Sequence, residues 1–363
     1  MKALLLKAPR HLVIEDIPLF HLDSDQVMVK VEACGICGSD LRYYQGENPW
    51  ALHTKGIEQA NPPNIVLGHE FVGRVVDAGS SQGTNLLGKR VAVLPYRTCR
   101  ACHNCRHGMH NLCPNMIHLG HAAGWGEMDY YPGGMAEFCP VWTEKCYVLP
   151  EHVLPHEAAL LDGLGVSLHA LRLAGFQPGK DVVVIGCGPI GMGIAAVARA
   201  WGGREIFCVD IYDVALDIAR DLIGGHTIDA RTTDPVAYVH AQTGGAGVAF
   251  AFDTVCHTQT QRQSMSLLSN QGVLVNLATK KLDVTVNLTD LAGERMLRGS
   301  SNYRVEEFPM AVDLLVTGQV QVARWITHQV PLVATPDTFA LLLNKEAAGA
   351  FKAVVKPDWE STP

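Results

Sequence analysis

Four cysteines lie close together in one short polar segment of the chain. They are Cys99, Cys102, Cys105 and Cys113. The C-x2-C-x2-C-x7-C spacing supplies the four soft ligands of a closed tetrahedral zinc site. A disulfide cluster is the alternative, but a second charge at Lys7 cuts the first apolar run short of a signal peptide. We therefore expect a cytoplasmic protein whose segment 97–115 is held by a structural zinc.

A second group of candidate metal ligands is spread along the chain. Cys37 lies in a glycine-rich turn after a predicted strand, and His69 lies in a Gly-His-Glu turn that also flanks a strand. A catalytic zinc needs three protein ligands and leaves one position for water or substrate. The spacing in the sequence does not show that residues 37 and 69 are close in space. A single cysteine is more often a small buried apolar residue than a metal ligand.

A glycine fingerprint follows a predicted strand at 181–185 and opens a helix, which is the context of dinucleotide binding. Gly186 permits the tight turn, Gly188 lets the backbone approach a pyrophosphate, and Gly191 lets helix and strand pack closely. The next strand ends at Asp210, whose carboxylate should bind the ribose hydroxyls of NAD and repel the 2′-phosphate of NADP. The other predicted cofactor contacts of this turn are Pro189 and Ile190. A plain strand-to-helix turn without a ligand is the alternative.

The chain divides into two predicted domains of an α/β protein. Residues 1–155 contain short strands bounded by turn residues, which favours a folded-over sheet or barrel. Residues 156–300 alternate strands and helices, which predicts a doubly wound parallel sheet, and 301–363 return to the first domain. The 363 residues, 48% of them hydrophobic, are enough for two cores.

Charge and hydropathy argue against nucleic acid and membranes as partners. The formal net charge is −7, and no cluster of Lys or Arg offers a surface for phosphate backbones. The longest uncharged apolar run, 182–198, contains glycines and a proline that break it into a strand, a turn and a helix start. We expect a small-molecule substrate.

These motifs occur in the order and rough spacing found in the zinc-dependent medium-chain alcohol dehydrogenases. The resemblance covers nearly the whole chain and is greatest to the polyol and threonine dehydrogenase branch, which shares the Cys-Gly-Ser-Asp form at 37–40. It implies a GroES-like catalytic domain, a Rossmann domain for NAD and a substrate cleft between them. It also implies a dimer or tetramer, for which 276–287 is a candidate sheet edge.

The resemblance implies that Cys37 and His69 bind the catalytic zinc, with Glu70 beside the metal as an outer or exchangeable ligand. The family's third ligand comes just after the domain crossover, where this chain has Asp162. A carboxylate in an apolar, glycine-spaced helix start is costly to bury without a cation, which supports a metal role. An ordinary acid at a helix N-terminus is the alternative, and Glu157 is the nearest rival ligand.

Ser39, by the same resemblance, accepts the proton of the alcohol. Relatives often carry His five residues after the zinc cysteine, but this chain has Arg42, which stays protonated and cannot act as a base. The candidates for carrying this proton onward from Ser39 are the cofactor ribose, ordered water and His53. Position relative to the family also predicts backbone contacts to the nicotinamide from Val255, Leu277 and Ala278.

The implied reaction is hydride transfer from a secondary alcohol to NAD, giving a ketone, with two zinc ions per chain. Aromatic residues in 43–63 and 118–131 favour a bulky or cyclic alcohol. Asn302 and Tyr303 fall near substrate positions of polyol dehydrogenases, so a polyol or amino-alcohol stays open. A noncatalytic zinc- and NAD-binding protein is the alternative of a different class. A zinc-stapled nucleic-acid module is disfavoured, because its basic surface and C-x2-C…H-x3–5-H spacing are missing.

Overall fold

The computed structural model describes residues 1–278, 281–344 and 349–357. The chain forms two compact units. The first contains Met1–Asp162, Arg304–Val316 and the described residues from Ile326 onward, and the second contains Gly163–Tyr303 and Thr317–Trp325. No helix in the described part of the chain is long and apolar enough to span a bilayer.

The strands and helices are numbered in chain order. The strands are β1 Lys2–Ala8, β2 His11–Asp16, β3 Gln26–Gly35, β4 Ile65–Val66, β5 Glu70–Ala78, β6 Arg90–Val93, β7 Tyr96–Arg97, β8 Ile117–His118, β9 Phe138–Trp142, β10 Cys146–Val148, β11 Val182–Ile185, β12 Ile206–Asp210, β13 His226–Asp229, β14 Val248–Asp253, β15 Leu268–Asn276, β16 Met296–Gly299, β17 Ile326–Pro331 and β18 Lys352–Lys356. The α-helices are α1 Gly38–Tyr44, α2 His103–Arg106, α3 Pro155–Ala158, α4 Leu161–Ala174, α5 Pro189–Ala200, α6 Asp213–Ile223, α7 Pro235–Gln242, α8 Thr258–Leu267, α9 Phe308–Val316 and α10 Thr335–Leu342.

Strand β3 organises the first unit, because it pairs antiparallel with β5, β9 and β18. Its apolar residues Val27, Val29 and Val31 are buried in the core of this unit. The last residue of β3, Gly35, pairs with the first residue of β5, Glu70. This register brings the chain that leaves β3 beside the chain that enters β5, and it therefore joins the turns around residues 37 and 69.

The second unit is a parallel sheet in the order β13-β12-β11-β14-β15-β16, with α5 against β11 and β12 and α6 against β12 and β13. The strand order reverses between β11 and β14, which is where doubly wound sheets bind nucleotides, outside the carboxyl ends of the strands. The fold class predicted from the sequence, a GroES-like domain with a Rossmann domain, is confirmed.

Two details of the second unit differ from the sequence prediction. Thr317–Trp325 belongs to this unit instead of the first, because Val320, Val322 and Trp325 are buried and Arg324 pairs with Asp221 of α6. The candidate edge at 276–287 includes residues 279–280, which lie outside the described residues. The described part, 281–287, is not a strand, and β16 is the outermost strand next to β15.

Candidate functional site

The first unit brings together Cys37, His69 and Glu70. Their ligand atoms all lie within 4.8 Å of one another, and His69 and Glu70 are buried. Cys37 is the N-cap of α1, while the two others stand where the chain enters β5. One thiolate, one imidazole and one carboxylate form a donor set that suits zinc with one position left open.

Asp40 supports this group from the first turn of α1. Its carboxylate accepts the backbone N–H of Cys37 at 2.8 Å, and a carboxylate oxygen lies 3.5 Å from His69 Nδ1. Burial lowers the pKa of His69, but the charges of Asp40 and Cys37 outweigh burial and raise it above its ordinary value. A buried site with this much negative charge around one imidazole fits a bound cation, and a carboxylate on the far nitrogen orients a metal-binding histidine.

Lys352 is the cation that the chain itself places beside Glu70. Its ammonium group contacts the Glu70 carboxylate and donates to the carbonyl of Ile36 at 3.0 Å. Burial lowers the pKa of Lys352, but Glu70 and Cys37 more than offset this and raise it. A Cβ at Gly35 would lie 2.2 Å from a Glu70 carboxylate oxygen, so a larger residue there would displace the Glu70 carboxylate.

Asp162 lies in the first turn of α4 and is not a member of the group formed by Cys37, His69 and Glu70. Burial raises the pKa of Tyr96, and the negative charge of Asp162 is the next largest cause of this increase. Its assignment as the third zinc ligand stays a prediction.

Ser39 lies at the metal group, with its Oγ 3.5 Å from His69 Nε2. Arg42, in the same helix, forms a 2.7 Å ion pair with Glu47. His53, one of the sequence candidates for proton transfer, is exposed, and desolvation and the charge of Arg42 lower its pKa. The position of Ser39 supports its predicted role as the proton acceptor.

Two histidines that the sequence did not single out pack beside His69. The rings of His118 and His121 are stacked with centroids 4.1 Å apart, and His118 meets His69 edge to face at 5.6 Å. Burial lowers the pKa of His118 to about 3 and that of His121 well below its ordinary value. The H-x2-H spacing after the cysteine segment was the available signal, and it was weak in a chain with 16 histidines.

The four cysteines of segment 97–115 converge on one point. The Sγ atoms of Cys99 and Cys113 lie 3.6 Å apart, and the Cys99–Cys105 and Cys102–Cys113 separations are both 3.9 Å. Zn–S bonds of about 2.3 Å in a tetrahedron place sulfurs about 3.8 Å apart. Backbone N–H groups of Ala101 and Cys102 lower the pKa of Cys99 to about 6. The spacing and the free thiols fit a structural zinc, not disulfides.

The glycine turn of the second unit joins β11 to α5. Gly186 has φ +84°, and a Cβ there would lie 2.4 Å from Thr254 Oγ1. A Cβ at Gly191 would lie 2.0 Å from the Gly186 carbonyl oxygen, whereas a Cβ at Gly188 would meet nothing within 4 Å. Gly186 and Gly191 are therefore needed by the fold, while Gly188, the N-cap of α5, borders open space.

The carboxylate of Asp210 is held against this turn. One oxygen accepts the Cys187 N–H at 2.6 Å, and the other accepts N–H groups of Ile211 and Tyr212 at 2.7 and 2.9 Å. The nearby cation Arg231 contacts Asp213 and donates to Asp229. The carboxylate of Asp210 thus lies at the end of β12, beside the turn that follows β11.

The predicted nicotinamide contacts follow β14 and β15 at the same edge of the sheet. A Cβ at Gly186 would lie 2.6 Å from Val255 Cγ2. The backbone N–H of Leu277 donates to the Asp253 carbonyl, and that of Ala278 donates to Cys256 Sγ. Pro189 and Ile190 are the first residues of α5. The structure thus brings the predicted cofactor residues together at the carboxyl edge of one sheet.

Comparisons with known proteins agree with this arrangement. Residues 23–151 match the alcohol dehydrogenase GroES-like domain, and 189–317 match the zinc-binding dehydrogenase domain. Sorbitol dehydrogenase of Bacillus subtilis (strain 168) is 28% identical over 95% of this chain and 94% of that protein. Probable D-xylulose reductase A of Aspergillus clavatus is 31% identical over 90% of this chain and 88% of that protein. The structure of 2R,3R-butanediol dehydrogenase from Bacillus subtilis gives a TM-score of 0.85 at 28% identity, covering 98% of this chain and 99% of that one.

The fold and the metal group define a zinc-binding dehydrogenase. The chain belongs to the zinc-dependent medium-chain alcohol dehydrogenase family, in its polyol dehydrogenase branch.

Proposed function

We propose that the protein oxidises a secondary alcohol of the polyol type to a ketone, with NAD as the hydride acceptor. The observation that carries the proposal is the group of half-buried Cys37 with buried His69 and Glu70, with the Ser39 hydroxyl 3.5 Å from His69 Nε2. The polyol preference is supported by the relatives, of which one is a sorbitol dehydrogenase and one a D-xylulose reductase.

The chain's own groups bind, orient and deprotonate the alcohol. Cys37, His69 and Glu70 would hold a zinc ion, which would supply a Lewis acid for the alcohol oxygen, and NAD would supply the hydride acceptor. Asp40 fixes Cys37 and the His69 ring through the contacts described above. Ser39 Oγ receives the proton of the alcohol, because a hydroxyl both accepts and donates hydrogen bonds.

The experiment that tests the proposal is a screen of secondary alcohols, polyols and cyclic alcohols for NAD reduction. We expect sorbitol-like polyols and small diols to be oxidised, and we expect exhaustive dialysis against a chelator to remove the activity. Zinc added back should restore it. Undiminished NAD reduction by a protein shown to be metal-free would refute the metal role, and no reduction with any alcohol would refute the activity itself.

Asp210 should set the cofactor preference. Asp210→Asn keeps an oxygen that accepts the Cys187 N–H but removes the charge that repels a 2′-phosphate. Hydrogen bonds to charged groups contribute about 1.5–3 kcal/mol, so we expect the NAD-to-NADP ratio of kcat/KM to fall by roughly tenfold or more. Steady-state kinetics with both cofactors measures it.

The matched control is Asp217→Asn, which removes one negative charge from the exposed side of α6. This variant should keep the ratio of the unaltered protein. An Asp210→Asn protein that also keeps that ratio would show that Asp210 does not bind the ribose, and a wild type that prefers NADP would contradict the assignment of NAD.

A further inference from the structure

A polar surface pocket of 460 Å³ lies beside the segment that carries the four cysteines. Its walls include two arginines, two threonines and two acids, which are Arg97, Arg100, Thr98, Thr143, Asp25 and Glu144. All of them belong to the first unit. Thr98 and Arg100 flank Cys99 in the sequence. None of these residues belongs to the metal group or to the glycine turn, so the pocket is a separate feature of the protein.

Two cations line the pocket, and a third lies next to it. The guanidinium group of Arg100 contacts the Glu144 carboxylate. A guanidinium nitrogen of Arg97 lies 2.6 Å from the Asp25 carboxylate. The third cation is Lys145, whose ammonium group lies 3.7 Å from a Glu144 carboxylate oxygen. Two acids thus face three cations, which leaves one positive charge in excess at this pocket.

Lys145 shows that the positive charge is only partly neutralised. Only 4% of this residue is exposed. Burial lowers the pKa of its ammonium group, Glu144 opposes this, and the charges of Arg100 and Arg97 lower the pKa further, so that it lies below its ordinary value. The distance of 3.7 Å to Glu144 is longer than a hydrogen bond. An additional anion near these three cations would stabilise the charged form of the lysine.

Two further observations indicate that this pocket binds a ligand. Thr143 Oγ1 is buried and has no hydrogen-bond partner among the residues that the structure describes, whereas buried hydroxyls are normally satisfied by protein, water or ligand. Arg100 has φ +56°, in the left-handed region where arginine is uncommon. The backbone at position 100 therefore favours glycine, yet the chain places a guanidinium group there.

We propose that this pocket binds a small oxyanion, of which phosphate is the simplest, through the guanidinium groups of Arg97 and Arg100 and the hydroxyl of Thr143. A guanidinium group presents paired donors that match two oxygens of a phosphate, and a hydroxyl can donate one more hydrogen bond. Exposed ion pairs contribute little free energy, so the anion can replace Glu144 at Arg100 at low cost.

The position of the pocket determines what the anion would do. Thr143 follows β9 directly, and Arg100 lies between two cysteines of the zinc segment, Cys99 and Cys102. A bound anion would join the end of this strand to the cysteine segment and stabilise the segment. This inference goes beyond the proposed function, because it involves neither the alcohol nor NAD.

Calorimetric titration of the zinc-loaded protein with inorganic phosphate tests the pocket. Sodium chloride holds the ionic strength constant, because salt screens every exposed charge. We expect one phosphate per chain, with a dissociation constant on the order of 1 mM. Glycerol 3-phosphate in the same titration distinguishes the two sources of the anion. Tighter binding of the ester would assign the pocket to a phosphorylated metabolite, and tighter binding of phosphate would assign it to the free ion.

Two variants remove one donor each. Arg100→Gly removes the guanidinium group and suits a φ of +56°, so this variant should fold at least as well as the unaltered protein. Its phosphate dissociation constant should rise by roughly tenfold or more. Thr143→Val keeps the shape of the side chain and should raise the constant by roughly fivefold. The matched control is Arg220→Gln, which removes an arginine from an exposed ion pair of α6 and should change nothing.

Thermal unfolding gives a second measurement. Phosphate stabilises many proteins as a salt, but only an intact pocket should add stabilisation that saturates with the dissociation constant found by calorimetry. We expect this saturable increase in the unaltered protein and in Arg220→Gln, and we expect Arg100→Gly to lose it. Absence of phosphate binding to the unaltered protein would overturn the inference, as would equal binding by folded Arg100→Gly. The proposed function stands in both cases, because NAD reduction is measured without phosphate.

Discussion

Cys37→Ser is expected to lower the zinc content from two ions per chain to one and to lower kcat/KM for every alcohol by on the order of 1,000-fold. A serine hydroxyl is a poor zinc ligand compared with a thiolate, and His69 and Glu70 alone leave the metal weakly held. A Lewis acid contributes several kcal/mol to the transition state, and each 1.36 kcal/mol is a factor of ten in rate. Metal analysis and steady-state kinetics measure the two effects.

Cys105→Ser is the matched control, because it makes the same substitution in the other cysteine site. It should also leave one zinc per chain, but it should act through stability, since the segment around α2 has little apolar core and depends on the metal. A Cys37→Ser protein that retained two zinc ions and full activity would contradict the catalytic assignment of this group.

The same measurements show whether Glu70 or Asp162 is the third zinc ligand. Because Glu70 lies within the ligand group and Asp162 does not, Glu70→Gln should lower zinc affinity more than Asp162→Asn. The reverse order would support Asp162 as the third ligand and leave Glu70 as the partner of Lys352. Each substitution exchanges a carboxylate for an amide of similar size, so packing changes little.

The alternation of strands and helices in the second unit was readable from the sequence. The range 156–300, predicted to alternate strands and helices, contains β11–β16 and α4–α8, because buried strands and amphipathic helices have distinct hydrophobic periods. The place of Thr317–Trp325 was not readable. It depends on buried contacts and the Arg324–Asp221 ion pair, which join residues about a hundred positions apart.

The metal group, too, could be predicted only in part from the sequence. Residue types and resemblance named Cys37, His69 and Glu70, but only the pairing of Gly35 with Glu70 explains how the three meet. Nothing in the sequence fixes that register. His118 and His121 were missed for a different reason, since histidines are common in this chain and only the stacking of the two rings and their burial distinguish them.

Two glycines of the nucleotide turn should respond to alanine in opposite ways. A Cβ at Gly191 would lie 2.0 Å from the Gly186 carbonyl oxygen, so Gly191→Ala must move backbone and should destabilise the protein by about 3 kcal/mol. A Cβ at Gly188 meets nothing within 4 Å, and its φ of −63° suits any residue, so Gly188→Ala should fold normally. If the pyrophosphate lies against this backbone, the added methyl group should still raise the dissociation constant of NAD by roughly tenfold or more, which is about 1.4 kcal/mol.

Thermal unfolding and NAD titration, applied to both variants, distinguish a structural glycine from a ligand-binding one. Gly191→Ala should lose stability with or without NAD, whereas Gly188→Ala should lose only the stabilisation that NAD adds, because a ligand that binds the folded state alone stabilises it in proportion to its affinity. Gly175 follows α4, and a Cβ there also meets nothing within 4 Å, but its φ of +72° strains alanine. Gly175→Ala therefore serves as a control for mild strain away from the turn. A Gly188→Ala protein with unchanged NAD affinity would mean that the dinucleotide does not approach this backbone, and the cofactor site would have to be sought elsewhere on the sheet.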